Sequence, residues 1–164
     1  MAVVSRDYRD VRARVYVNAP MDRVYKSWAT VAGLERWLTA RARMLSPEGR
    51  DLGREGPAEE GGRYSWTRAD GTREDGTFVE VDNSMLLRFT FGKDVVVKVQ
   101  LTLTSKGVLV DVHQHAQRSD AENLALALAH SSRWTFYLAN LKSVLEGGAD
   151  LRDARPDVEG LVNV

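Results

Sequence analysis

The chain has 164 residues, with 23 basic and 23 acidic side chains, three histidines and no cysteine, a length that suits one domain (core about 9–152, tail 153–164) with a self-sufficient core. Its zero formal net charge lacks the basic excess of a nucleic-acid binder, and the missing cysteines exclude disulfides, thiol nucleophiles and cysteine-held metals. The longest apolar stretch, residues 95–103, is broken by Lys98 and Gln100 and is too short to span a bilayer, so a soluble, cytoplasmic protein with neither nucleic-acid nor membrane partners is expected.

Residues 9–17 alternate, with Val11, Ala13, Val15 and Val17 apolar and Arg12 and Arg14 charged, as a half-buried strand requires. Pro20 suits the first turn of a helix, and Met21, Val24, Tyr25 and Trp28 follow at helical spacing. A second short helix at 33–38 carries Leu34, Trp37 and Leu38, after a turn near Thr30. A strand at 40–45 leads to residues 46–62, a loop with five glycines and two prolines. Loops of that length within a compact domain need a reason. A flap over a cavity mouth and a solvated connector are the two readings of it.

Four strands follow at 63–68, 77–81, 86–91 and 95–104, with a turn at Asp70-Gly71. Alternation turns Tyr64 and Trp66, then Leu87, Phe89 and Phe91, then Val95, Val97, Val99, Leu101 and Leu103 inward. The last strand, 108–116, puts Val108, Val110 and Val112 on that inner face. Asp111, His113 and His115 fall on the outer face, a solvated polar row more than a metal site. Short connections make the sheet antiparallel.

A long helix then spans 119–147. Ser119-Asp120-Ala121-Glu122 has the capping-box pattern and Gly147-Gly148 the stop. Ala127, His130, Trp134, Leu138, Leu141 and Leu145 recur along one face. A helix this long needs a broad partner surface, and a curved sheet supplies one, which makes a container. His130 has no carboxylate partner identifiable by spacing, and a hydrogen-bonded structural histidine fits it better than a general base. No G-x-S-x-G, phosphate-cradling glycine loop or H-E-x-x-H occurs, so no catalytic residue, metal or cofactor is assigned. The tail ends in Leu161-Val162-Asn163-Val164, an apolar end that can dock on its own body or on a second subunit as a homodimer.

The segment from Val17-Asn18-Ala19-Pro20-Met21 to Tyr25, with Trp28 and Trp37, and the run from Trp134-Thr135-Phe136-Tyr137 to Leu145-Glu146-Gly147-Gly148 resemble the START-like (SRPBCC) superfamily. Within it, the chain is similar to the family named after the activator of the ninety-kilodalton heat-shock chaperone ATPase. The resemblance covers residues 9–152 and implies an α+β helix-grip fold. In that fold a curved antiparallel sheet of about seven strands wraps around a long C-terminal helix, with two short helices after the first strand. Such a fold commonly leaves space between sheet and helix. Trp37, Tyr64, Trp66, Phe78, Phe89 and Phe91 then line either a pocket or a packed core, together with His130, Trp134 and Tyr137 from the helix. Tyr64, His130 and Tyr137 would orient a small apolar or aromatic ligand. The family likeness also implies a chaperone-regulating interaction module, and the superfamily a polyketide cyclase or aromatase using His130 or Tyr64.

Overall fold

The computed structural model describes residues 10–82, 84–117, 121–155 and 157–164. The proposed capping-box side chains of Ser119 and Glu122 lie outside the described ones. Strand β1 (Asp10–Val17) is followed by α1 (Met21–Ala29) and α2 (Val31–Glu35), then by β2 (Arg41–Leu45), β3 (Arg63–Thr67), β4 (Arg73–Asp82), β5 (Leu86–Thr90), β6 (Val95–Thr104) and β7 (Gly107–Ala116), and finally by α3 (Ala121–Leu145). The strands form one seven-stranded antiparallel sheet in the order β1-β7-β6-β5-β4-β3-β2. The two edge strands are thus consecutive in the chain, and α1 and α2 carry the polypeptide from one edge to the other.

Local chemistry explains the joints. Pro20 leads into α1 with its carbonyl accepting from Arg23 and Val24 N–H. Thr30 caps α2, its hydroxyl oxygen accepting from Gly33 N–H at 3.0 Å. Gly147, at φ 85°, ends α3.

Inside the sheet lies one core. Val17, Val97, Val99, Val108, Val110 and Val112 are at most 1% exposed, and Trp28, Trp37, Leu34 and Leu141 pack over them. Leu103, expected inward, is 70% exposed. The reason is its neighbour: β5 begins with Leu86 opposite Gln100, so β6 beyond Leu101 has no flanking strand on that side.

The 46–62 loop is a strap, not a flap. Ala58 N–H donates to Ala29 O at 2.7 Å, Ala32 N–H to Arg54 O at 2.9 Å, and Gly61 N–H to Phe78 O at 2.8 Å. Ser46 and Ala58 are buried, and Arg54 pairs with Glu35 at 2.7 Å. The loop ties α1 and α2 to the sheet.

The tail docks on its own body. Val164 is buried and its main-chain oxygen accepts from the Tyr137 hydroxyl at 2.6 Å. Asn140, wholly buried, donates to Trp37 O at 2.8 Å and Asp150 Oδ1 at 3.0 Å, while its Oδ1 accepts from Leu151 N–H at 2.8 Å. One side chain therefore joins α3, the segment after α2 and the stretch that follows α3. Asn140→Ala leaves the buried Trp37 carbonyl without this partner and the Leu151 N–H without its acceptor, and is expected to cost about 1–3 kcal/mol. The exposed Thr135→Ala on the same helix is expected to cost much less. Urea unfolding of both variants checks this.

Candidate functional site

Among the described residues, the buried side chains of helix α3 all lie in its second half. None of residues 124–133 is buried, whereas Trp134, Tyr137, Leu138, Leu141 and Leu145 are. Of the inward stripe read from spacing, Ala127 and His130 are half-buried, and Leu126 and Leu128 stand in solvent.

The fixed point between helix and sheet is Gln114. It shares the concave face of β7 with Val108, Val110 and Val112, and it is buried. Its Oε1 accepts from Trp134 Nε1–H at 2.9 Å, and its Nε2 lies 2.6 Å from His130 Nδ1. An indole nitrogen can only donate. The Gln114 oxygen is therefore the acceptor, its NH2 group faces His130, and His130 Nδ1 must accept. The neutral ring then carries its proton on Nε2. Burial, joined by the guanidiniums of Arg133 and Arg68, holds the His130 pKa below the ordinary histidine range.

A cavity of about 20 Å³ adjoins this set, between β3, the end of β5, the α2–β2 link and α3. Leu38, Trp66, Phe91, Trp134 and Tyr137 make its apolar wall, and Thr39, Arg68, Glu74, His130 and Arg133 its polar edge. Strand parity sets Trp66 and Arg68 on one face, and helical spacing sets His130, Arg133, Trp134 and Tyr137 on one stripe. The volume admits about one water, far below the roughly 300 Å³ or more of a small-molecule site. Phe91 is the centre of the aromatic wall, 5.6 Å from His130, 6.0 Å from Trp134 and 6.4 Å from Trp66, centroid to centroid.

Of the nine expected pocket residues, Trp66, Phe91, His130, Trp134 and Tyr137 border this cavity. Trp37, Tyr64, Phe78 and Phe89 do not; they are at most 3% exposed and packed on one another or on neighbouring rings. Tyr64 stacks on Trp66 at 4.2 Å and crosses Gly76, where a Cβ would come within 2.5 Å of its hydroxyl. That hydroxyl donates to Thr90 O at 2.5 Å, and burial pushes its pKa up. With the Tyr137 hydroxyl donating to Val164 O, neither tyrosine has its O–H free to donate to a guest. Trp66 and Trp28 present the opposite case: each has a buried Nε1–H with no acceptor among the described residues. Gln114, Arg68 and Arg133 were missed by the sequence reading, although each lies in register with residues it had placed inward.

On the outer face, His113 Nε2 and His115 Nδ1 lie 2.8 and 2.9 Å from Asp10 Oδ1, and Asp111 pairs with Arg12. The His115 hydrogen bond is the main cause of a lowered Asp10 pKa. Among the described residues no group of three or more His, Cys, Asp or Glu side chains is arranged to hold a metal ion, and no helix is long and apolar enough to cross a membrane.

A curved antiparallel sheet gripping one long helix, with a small cavity at the helix's looser end, defines a helix-grip α+β protein. The family model described as "Activator of Hsp90 ATPase homolog 1-like protein" matches residues 18–146, and the chain belongs to that family. Among solved structures, a Staphylococcus saprophyticus protein is 17% identical, with TM-score 0.71 over 89% of this chain and 98% of its own. The Aha1 dimer from Colwellia psychrerythraea is 16% identical, with TM-score 0.67 over 85% and 97%. DynU16, from the dynemicin biosynthetic locus, is 20% identical, with TM-score 0.70 over 90% of this chain and 51% of its own. At these identities the likeness shows the fold. A search of curated proteins finds no match.

The hydrogen-bond polarity of the Gln114 link is testable. Gln114→Glu replaces the NH2 donor by a carboxylate oxygen, which favours a proton on His130 Nδ1. The His130 pKa is then expected to rise from below the ordinary value of about 6.5 to above it, as read by NMR titration of the imidazole. In the unsubstituted protein the lowered pKa means that the unfolded chain takes up this proton first. That part of the stability is present above about pH 6.5 and is lost as the pH falls through it.

Proposed function

We propose that the protein binds a small apolar or aromatic molecule between the sheet and the first half of α3. The observation that carries this reading is the coincidence of two features at one place. The cavity lies where α3 passes from residues 124–133, none of them buried, to the buried Trp134 and Tyr137, with His130 and Arg133 of the unburied part on its polar edge. Segments with few buried contacts open at low free-energy cost, so the cavity can widen by moving that half-helix while Trp134 to Leu145 keep their grip. The 20 Å³ cavity is the closed state of such a site. Trp66, Phe91 and Trp134 supply the walls, and affinity comes mainly from apolar burial at roughly 25 cal/mol per Å² before association costs.

A second reading is favoured by the family description and by the Aha1 dimer. In it the chain pairs with itself or regulates a chaperone ATPase through its surface, where Leu126 and Leu128 are exposed. A cyclase-type reaction with His130 as acid–base group is the least supported reading. His130 Nδ1 is occupied by Gln114 and the ring's pKa is lowered, whereas proton transfer works best from a group poised near the working pH.

Hydrogen exchange with and without 2-naphthol separates these readings. Binding is expected to slow exchange in residues 124–133 and around Trp66, leaving the exposed outer face of β7 unaffected. Unchanged exchange throughout the chain at saturating 2-naphthol would remove the pocket reading.

A further inference from the structure

Of the five polar residues around the cavity, three present donors, Arg68, His130 and Arg133, and Thr39 and Glu74 are the other two. His130, through the chain from Trp134 to Gln114, offers Nε2–H. Arg68 and Arg133 border the same space, and an arginine side chain has no acceptor. Trp66 is 4% exposed, borders the cavity, and has a buried Nε1–H that meets no acceptor among the described residues. Leaving such a group unpaired is costly, and an incoming acceptor would remove that cost.

The other polar groups at the edge have protein partners of their own. Glu74, opposite Trp66 in the β3–β4 register, accepts from Gly92 N–H at 2.5 Å. The Thr39 hydroxyl lies 2.8 Å from Thr67 O, to which it donates. Asp70, at the β3–β4 turn, accepts from Thr72 N–H at 2.8 Å and feels both arginines. The tyrosine hydroxyls donate elsewhere, Tyr137 to Val164 and Tyr64 to Thr90.

A neutral hydrocarbon would fill the apolar wall and leave these donors unanswered. A ligand with an oxyanion at one end would answer them and keep its body against Phe91 and Trp134. We infer that the site selects a small amphiphile whose aromatic or aliphatic body carries a carboxylate, read by Arg68, Arg133, His130 Nε2–H and Trp66 Nε1–H. This rests on the binding reading given under Proposed function and narrows its ligand class. Charge-assisted bonds are shorter and stronger than neutral ones, and Arg, unlike His, keeps its charge at any working pH.

The test uses an isosteric pair, 2-naphthoate and 2-naphthamide, titrated calorimetrically into the full chain at pH 7.5 and low salt. The carboxylate is expected to bind about tenfold more tightly or better. The preference should shrink severalfold in Arg68→Gln and in Arg133→Gln and vanish in the double variant. The Trp66 indole N–H resonance, assigned by its loss in Trp66→Phe, should move downfield on adding 2-naphthoate. Circular dichroism of each variant establishes that it is folded. Equal affinity for the two probes would overturn the carboxylate inference while leaving the pocket reading standing. A preference that survives in the folded double variant would overturn the assignment to the arginines. Binding of neither probe, nor of 2-naphthol, would overturn both the pocket reading and this inference.

Discussion

One buried amide governs how this helix meets this sheet. Gln114 follows three valines on the concave face of β7 and is buried, and its polar atoms meet partners from the protein. Both come from α3: the Trp134 indole fills the oxygen and His130 fills the nitrogen. Because the indole can only donate, the polarity of the whole chain is set from one end. Its orientation, the amide's and the imidazole's tautomer follow together. The rotational position of α3 over the sheet is therefore fixed by directional bonds as well as by the shape of Leu138, Leu141 and Leu145.

That anchoring also divides α3. From Trp134 onward the helix belongs to the core, with Asn140 tying it to Trp37 and to Asp150 just beyond the helix. Before Trp134 it is held mainly through His130. The aromatics run from Trp37 and Trp28 through Trp134 to Phe91 and Trp66, so the cavity lies where the rigid and the looser parts meet. A domain of this size needs most of those rings for its core, and only the few nearest His130 border free space.

The fold was largely legible in the sequence because its signals were periodic. Alternation marked the strands, three- and four-residue spacing marked α3, and Gly147 marked its end. The candidate site was half legible. Trp66, Phe91, His130, Trp134 and Tyr137 were placed, but Tyr64, Trp37, Phe78 and Phe89 went into solid packing, since a period of two cannot tell a ring that meets a ring from one that meets space. Gln114 carries no signal of its own in the sequence, because the conspicuous polar residues around it, Asp111, His113 and His115, face out. The parity that put Val112 inside put Gln114 there too. Leu103 obeyed its parity but lacked a neighbouring strand, which depends on where β5 begins.

The pairing of β1 with β7 brings Asp10 opposite His115 and Val17 opposite Val108. The first strand of the chain thus waits for the last. During synthesis β2 to β6 can pair in succession as a meander, but β1 finds its partner only when residues 107–116 have emerged. Until then its apolar face and α1 have no finished sheet to cover. Non-local closure of this kind raises contact order and slows folding relative to a helical bundle of equal length. The helix that completes the core is the last element made, so the chain acquires its interior late and nearly all at once.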